Sequence, residues 1–363
     1  TALGFIAFTI GNEFRLSQLK ATGAKAITIG ILQAVVTTLL VDAVLIALHL
    51  CFPNVLSLPC AIVLGAIASA TAPAATLMVV QQYKADGPLT RLLMLVVAID
   101  DAVGLLLFSV SFGIATALSH GQVSILAVVV EPILEIVLSL GLGAVMGWLL
   151  NWVEQFFHSR SKRMTISVAF VLLTVGLSTL KFQIGPIHCG FSLLLVCMMA
   201  GTVFCNICDF SEELMERVDK WTAPLMVLFF VISGAELELS VFADIAVVIA
   251  GVIYIISRSI GKCSGAFISA KMTKCTPETC KYLGITLFPQ AGVALGMCAT
   301  AMQLGEQGRL IRNITLFAVL IYELVGPLMT RQALMSAGEI KPIEQHIKDR
   351  RQIKLEEAKN RKE

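Results

Sequence analysis

Eleven apolar runs separated by short polar stretches organise this chain from end to end. They cover roughly residues 1–14, 24–51, 58–82, 89–118, 123–153, 163–181, 187–208, 217–236, 242–270, 281–304 and 310–334. About 20 apolar residues in a helix cross the ~30 Å hydrocarbon core of a bilayer. No water is present at that depth to satisfy an open backbone, so helix is the expected conformation of each run. The expected fold class is therefore an all-α polytopic membrane protein with about eleven transmembrane helices. The first run is incomplete. The chain opens at Thr1 inside it, with no basic stretch before and no cleavage-site pattern after, so a truncated N-terminus is expected rather than a signal peptide.

The polar stretches alternate in charge. Arg15, Lys20 and Lys25, then Lys84 and Arg91, then Arg160, Lys162 and Arg163, then Arg217 and Lys220, then Lys271, Lys274 and Lys281 fill every second connection. The loops near Asn54 and Gly121 have no Lys or Arg, Lys181 stands alone, and Glu236 and Glu238 occupy another; only Arg309 and Arg312 break the alternation. Basic loops stay on the cytoplasmic side. The C-terminal tail, 336–363, is then cytoplasmic, in a multi-pass protein of a cell (inner) membrane. From Lys341 the tail is dense in charge, the pattern of a solvated helix or disordered end.

Composition agrees with a lipid environment. The chain is 57% hydrophobic and 14% charged, against about 25% charged in soluble domains. A net charge of +2 points to no nucleic-acid partner. No GxGxxG is present to hold a nucleotide, and no cofactor is expected. Ten cysteines are scattered through the chain, with Cys205 and Cys208 in a CxxC and Cys275 and Cys280 in a short loop. A lone CxxC has no second pair to complete a zinc site, so these read as ordinary thiols packing as small hydrophobes.

The informative residues are polar ones at depths where polarity is costly. Asp100 and Asp101 lie near the middle of LLMLVVAIDDAVGLLLF. A midplane Asp costs about 2.5–3.5 kcal/mol on insertion scales, and such residues mark ion or proton routes. Neighbouring positions on a helix point about 100° apart, so the two carboxylates should have different partners. Arg258 lies deep in the ninth run and needs an anion; Asp100 or Asp101 is the expected partner. Lys262, one turn nearer the cytoplasm, is expected to reach the interface along its apolar stem.

Two runs are interrupted. Ser69, Thr71, Pro73 and Thr76 fall mid-membrane in the third, and Pro289, Gln290 and Gly292 in the tenth. Proline removes a backbone donor and clashes with the preceding turn. Loop charges make the third run enter from outside and the tenth from inside, the arrangement of an inverted-topology repeat. Interrupted helices in corresponding positions of two halves point to a transporter substrate site. Their ends would present opposed partial charges, which Asp101 and Arg258 are placed to neutralise.

Together, the Asp100–Asp101 pair, the Thr71-Ala72-Pro73 break, a basic residue late in the ninth run, the Pro289-Gln290-Ala291-Gly292 break and GFIAFTIGNEFRL near the start resemble the monovalent cation/proton antiporter superfamily. The pattern is most similar to Na⁺/H⁺ antiporters of the NhaA/NapA type and their animal relatives, over essentially the whole chain. The resemblance implies a homodimer and a membrane domain, 1–335, with two crossed, broken helices. Its core would be 24–118 and 242–335, its dimerisation panel 1–23 and 163–241, and its linker helix 123–153. It also implies that Asp101 binds the cation and the proton, that Asp100 pairs with Arg258, and that Thr71, Ala72 and Pro73 with Pro289, Gln290 and Gly292 frame the crossover. The expected activity is exchange of Na⁺ or Li⁺ for H⁺ by alternating access, without enzymatic chemistry, with K⁺ as the close alternative substrate. The resemblance also marks a departure: many bacterial members have Lys at the position that Arg258 takes here. Arg effectively cannot deprotonate, which would favour electroneutral exchange through Asp101 alone.

Other classes fit less well. An intramembrane aspartyl protease needs two aspartates facing each other and sharing a proton, whereas Asp100 and Asp101 are adjacent on one helix. A channel also uses broken helices, but two midplane breaks in inverted repeats favour alternating access. No regular Arg ladder suggests a voltage sensor.

Overall fold

The computed structural model describes residues 2–13, 15–16, 24–53, 55–119, 130–157, 159–180, 182–184, 187–235 and 245–340. Within these residues the chain is helical: α1 (Ala2–Glu13), α2 (Ala24–Cys51), α3 (Leu58–Ser69), α4 (Pro73–Tyr83), α5 (Pro88–Ser119), α6 (Glu131–Glu154), α7 (Arg160–Ser178), α8 (Leu193–Ile207), α9 (Ser211–Ala235), α10 (Ile245–Met272), α11 (Pro277–Thr286), α12 (Gly292–Ala301) and α13 (Glu306–Ser336). A 3₁₀ turn, Met302–Leu304, separates the last two. The loop at Gly121, the Glu236–Glu238 loop, Asn54, Lys181, Lys20 and the charged tail from Lys341 lie outside the described residues.

Six described helices are long and apolar enough to cross a membrane by length and composition, and not about eleven. The shortfall has physical causes. The third and tenth runs are each two half-helices, α3 with α4 and α11 with α12, split at the expected breaks. Pro73 opens α4 at its first turn, where its missing N–H costs nothing. α9 begins earlier than its apolar run, and its first ten residues, SEELMERVDK, are mostly charged. The seventh run also starts later than its hydropathy indicates. Strands β1 (Phe182–Ile184) and β2 (Ile187–Cys189) pair antiparallel, Gln183 opposite His188, and α8 starts only at Leu193.

The helices pack in two sets. α2 lies along α10 and against α3 and α5, while α11 and α13 pack on α10 and on each other. α1 and α6 each run along α8, and α7 and α9 complete that second set. α1 and α8 meet backbone to backbone. A Cβ on Gly11 would stand 1.9 Å from the Met198 carbonyl oxygen, and one on Gly201 2.1 Å from that of Phe8. Small residues permit this approach where lipid offers no hydrophobic drive between helices. Cys205, in α8, donates its thiol to the Thr202 carbonyl at 3.2 Å.

Candidate ion site

The two interrupted segments meet at their extended peptides. The Ala72 amide, between α3 and α4, donates to the Pro289 carbonyl, between α11 and α12, at 2.8 Å. Gln290 is fully buried and donates to the Ile67 carbonyl at 2.9 Å and to the Tyr254 hydroxyl at 3.2 Å. Gly326 of α13 lies against Pro289, where a Cβ would sit 3.0 Å from the ring. Gly292 begins α12.

Arg258 serves the carbonyl ends of both half-helices. Its guanidinium donates to Ala68 O at 3.0 Å, Ala70 O at 2.7 Å and Phe288 O at 2.8 Å. These are carbonyls at the C-terminal ends of α3 and α11, which lack intrahelical partners and carry partial negative charge. Arg258 also lies over the Tyr322 ring at 4.4 Å, and the Tyr322 hydroxyl donates to Ile255 O at 2.7 Å.

The expected pairing of Asp100 with Arg258 is therefore corrected. Lys262 is the partner: its Nζ is 2.7 Å from Asp100 Oδ2 with both side chains fully buried. It does not reach the interface. Nζ also donates to Thr71 Oγ1 at 2.9 Å, to Gln33 Oε1 at 3.2 Å and to the Ser69 carbonyl. The reason is depth. Arg258 and Lys262 share one face of α10 a turn apart, and the packing of α10 on α2 brings the lysine level with Asp100. The longer, forked arginine spans the two half-helix ends instead. With Lys262 on Asp100, the Arg258–Asp100 pairing that would favour electroneutral exchange is absent.

Asp100 is committed to this network. Gln33 Nε2 donates to its Oδ1, and the Thr71 hydroxyl donates to its Oδ2 beside Lys262. Thr71 thus attends the ion pair. Gln33 was missed in the sequence, although an amide inside ITIGILQAVVTTLL is a visible signal. It uses both ends of its amide, accepting from the cation and donating to the anion.

Asp101 turns away from its neighbour, as a 100° step requires. It is 1% exposed and lines a cavity of about 1520 Å³ between the two helix sets. Ala72, Ala291 and Gly292 bring both helix breaks to the same cavity, α13 contributes Glu323, and α9 contributes Glu216 and Asp219. Glu323 was also missed in the sequence, inside FAVLIYELVGPLM. Acidic walls in a low-dielectric cleft concentrate cations. Among the described residues, no group of three or more His, Cys, Asp or Glu side chains could hold a metal ion.

Comparison with known proteins gives one family. The family described as "Sodium/hydrogen exchanger, transmembrane" matches residues 2–336. Among solved structures, the sodium proton antiporter MjNhaP1 from Methanocaldococcus jannaschii at pH 8 superposes with a TM-score of 0.67 at 17% identity, covering 92% of this chain and 84% of that one. An electron-microscopy map of the same antiporter gives a TM-score of 0.64 at 16% identity, with 94% and 84% covered. At that identity the likeness is one of fold. No curated protein sequence matches.

Proposed function

The chain belongs to the sodium/hydrogen exchanger family, and from that premise we propose that it exchanges Na⁺ or Li⁺ for H⁺ by alternating access at Asp101. The observation that carries this reading is the division of labour between adjacent carboxylates. Asp100 is bound up with Lys262, Gln33 and Thr71, while Asp101 faces the cavity where both broken helices meet.

The cycle needs only competition for one carboxylate. Asp101 holds either a proton or a dehydrated cation. Ionised with neither ligand bound, it would carry its negative charge through low dielectric, which is costly. Either ligand neutralises it and lets the site change sides. Arg258 keeps the carbonyl ends of the half-helices compensated throughout, so the crossover is not itself a competing cation trap.

In this reading α2–α5 and α10–α13 form the moving core, α1 and α7–α9 the panel, and α6 the linker. The packing of the helices in two sets with the cavity between them supports it. Six helices are long and apolar enough to cross; in this reading each pair of half-helices counts as one further crossing, and α1, α8 and α9 would bring the total to eleven. The basic loops then face the cytoplasm with the C-terminus, and two copies assemble through the panel in the cell membrane.

Proteoliposomes holding the protein test this. An imposed Na⁺ gradient should move protons in the opposite direction, and Asp101→Asn should abolish the movement while leaving the protein folded. Proton movement that persists in the variant would remove Asp101 from the mechanism. No coupled movement in the parent protein would remove antiport.

A further inference from the structure

The end of α13 is built into the start of the helix that carries the aspartates. α13 stops in a Schellman motif: Gly338 takes a left-handed φ of 76°, Glu339 N bonds to Leu334 O at 3.0 Å and Gly338 N to Met335 O at 3.0 Å. This is the usual use of glycine past a helix end. The reversal throws Glu339 toward the N-terminus of α5. There its carboxylate accepts from Leu89 N at 2.7 Å, Thr90 N at 2.7 Å and Thr90 Oγ1 at 2.7 Å. Its own carbonyl accepts from Asp86 N at 3.2 Å. Ile340 is buried just beyond, in a cluster with Ala85, Leu89 and Leu334.

With Pro88 as the first residue of α5, Leu89 and Thr90 hold the second and third positions. Their amides are the ones an N-cap side chain normally satisfies. The N-cap position here is Gly87, which has no side chain to offer. A Cβ at Gly87 would lie 2.3 Å from the Glu339 carboxyl carbon, so a local side-chain cap and the distant one exclude each other. Asp86, the acid next to Gly87 in sequence, faces outward to Arg91 at 3.0 Å. The helix that bears Asp100 and Asp101 is thus capped by a residue about 250 positions away in sequence. The other end of this connection is also at the site: α13 carries Tyr322 under Arg258 and Gly326 against Pro289.

We propose that Glu339 is a positioning residue of the transport cycle, an inference that rests on Asp101 being the carrier. It fastens α13, which supports the crossover, to α5, which carries the carboxylate, so that both move as one body. A cap alone would serve only the stability of α5.

The test separates those roles in full-length protein reconstituted in vesicles, with Na⁺-driven proton flux and thermal unfolding measured on each variant. Glu339→Ala should lower the unfolding temperature and reduce maximal flux by about tenfold, the scale of a small misplacement of reacting groups, with KM for Na⁺ unchanged. Gly87→Ser combined with Glu339→Ala restores a local cap in the space vacated. It should recover the unfolding temperature but not the flux. Recovery of both would make Glu339 a cap and overturn the proposal. Glu339→Gln keeps the shape and one acceptor, so it should retain more flux than Glu339→Ala; flux as low as that of the alanine variant with the parent's unfolding temperature would equally overturn the proposal. The parent protein is measured alongside, and its failure to transport would instead refute the antiport reading.

Discussion

Removing the lysine from the buried ion pair distinguishes the two pairings that the sequence leaves open. Lys262→Met takes away the ammonium and keeps most of the apolar stem. It leaves the Asp100 carboxylate fully buried with the Gln33 and Thr71 donors as its remaining partners. Breaking a buried pair from one side costs about 3–5 kcal/mol, because the charge left behind is uncompensated. The two surviving hydrogen bonds put this case near the lower end, at about 3 kcal/mol. Asp100→Asn in the same protein removes the stranded charge; its amide oxygen still accepts from Gln33, and its amide nitrogen takes the place of the oxygen that Thr71 served, where the threonine hydroxyl accepts instead of donating. The residual loss is then about 1 kcal/mol, for the Ser69 carbonyl that no longer receives its donor. Arg258→Met behaves differently, since it strands three carbonyls and no carboxylate, and Asp100→Asn should not rescue it. Thermal unfolding of the purified variants in detergent reads all of this. Lys262→Met should unfold several degrees below the parent and recover most of that with Asp100→Asn. Rescue of Arg258→Met in place of Lys262→Met would refute the pairing and return Arg258 to Asp100.

Competition at Asp101 also fixes a sign with pH. Protons and Na⁺ exclude one another there, so the apparent KM for Na⁺ should rise as pH falls, approaching about tenfold per unit once protons dominate the site; initial rates of Na⁺-dependent flux across a pH series check it, and a constant KM would rule out shared binding. Gln33→Leu removes one donor to Asp100 and one acceptor for Lys262 while filling similar volume. It should cost about 1–3 kcal/mol of stability, seen as a lower unfolding temperature, with Gln33→Glu costing more because it sets a second carboxylate against Asp100.

Much of this protein is written locally in its sequence. Hydropathy is a property of each run taken alone, and lipid leaves helix as its one satisfactory conformation. The family resemblance is therefore visible without coordinates. The breaks at Pro73 and Pro289 are equally local, since a missing donor and a fixed φ act wherever the ring stands. The opposite fates of Asp100 and Asp101 follow from the helical step between neighbours. Partnership across helices is another matter. Arg258 and Lys262 lie one turn apart, about 6 Å along α10, and both offer a cation to the same face. Which one meets Asp100 depends on how far α10 slides along α2, a register set by packing over the whole contact, including Gly261 and Gly265 of α10 against Thr37 and Gln33 of α2. The same holds for Glu339. Nothing within reach of Gly87 in the sequence announces that its helix is capped from the far end of the fold. Sequence determined which residues are costly to bury; only the tertiary structure decided what compensates each of them, because compensation depends on distances between helices that no local pattern encodes.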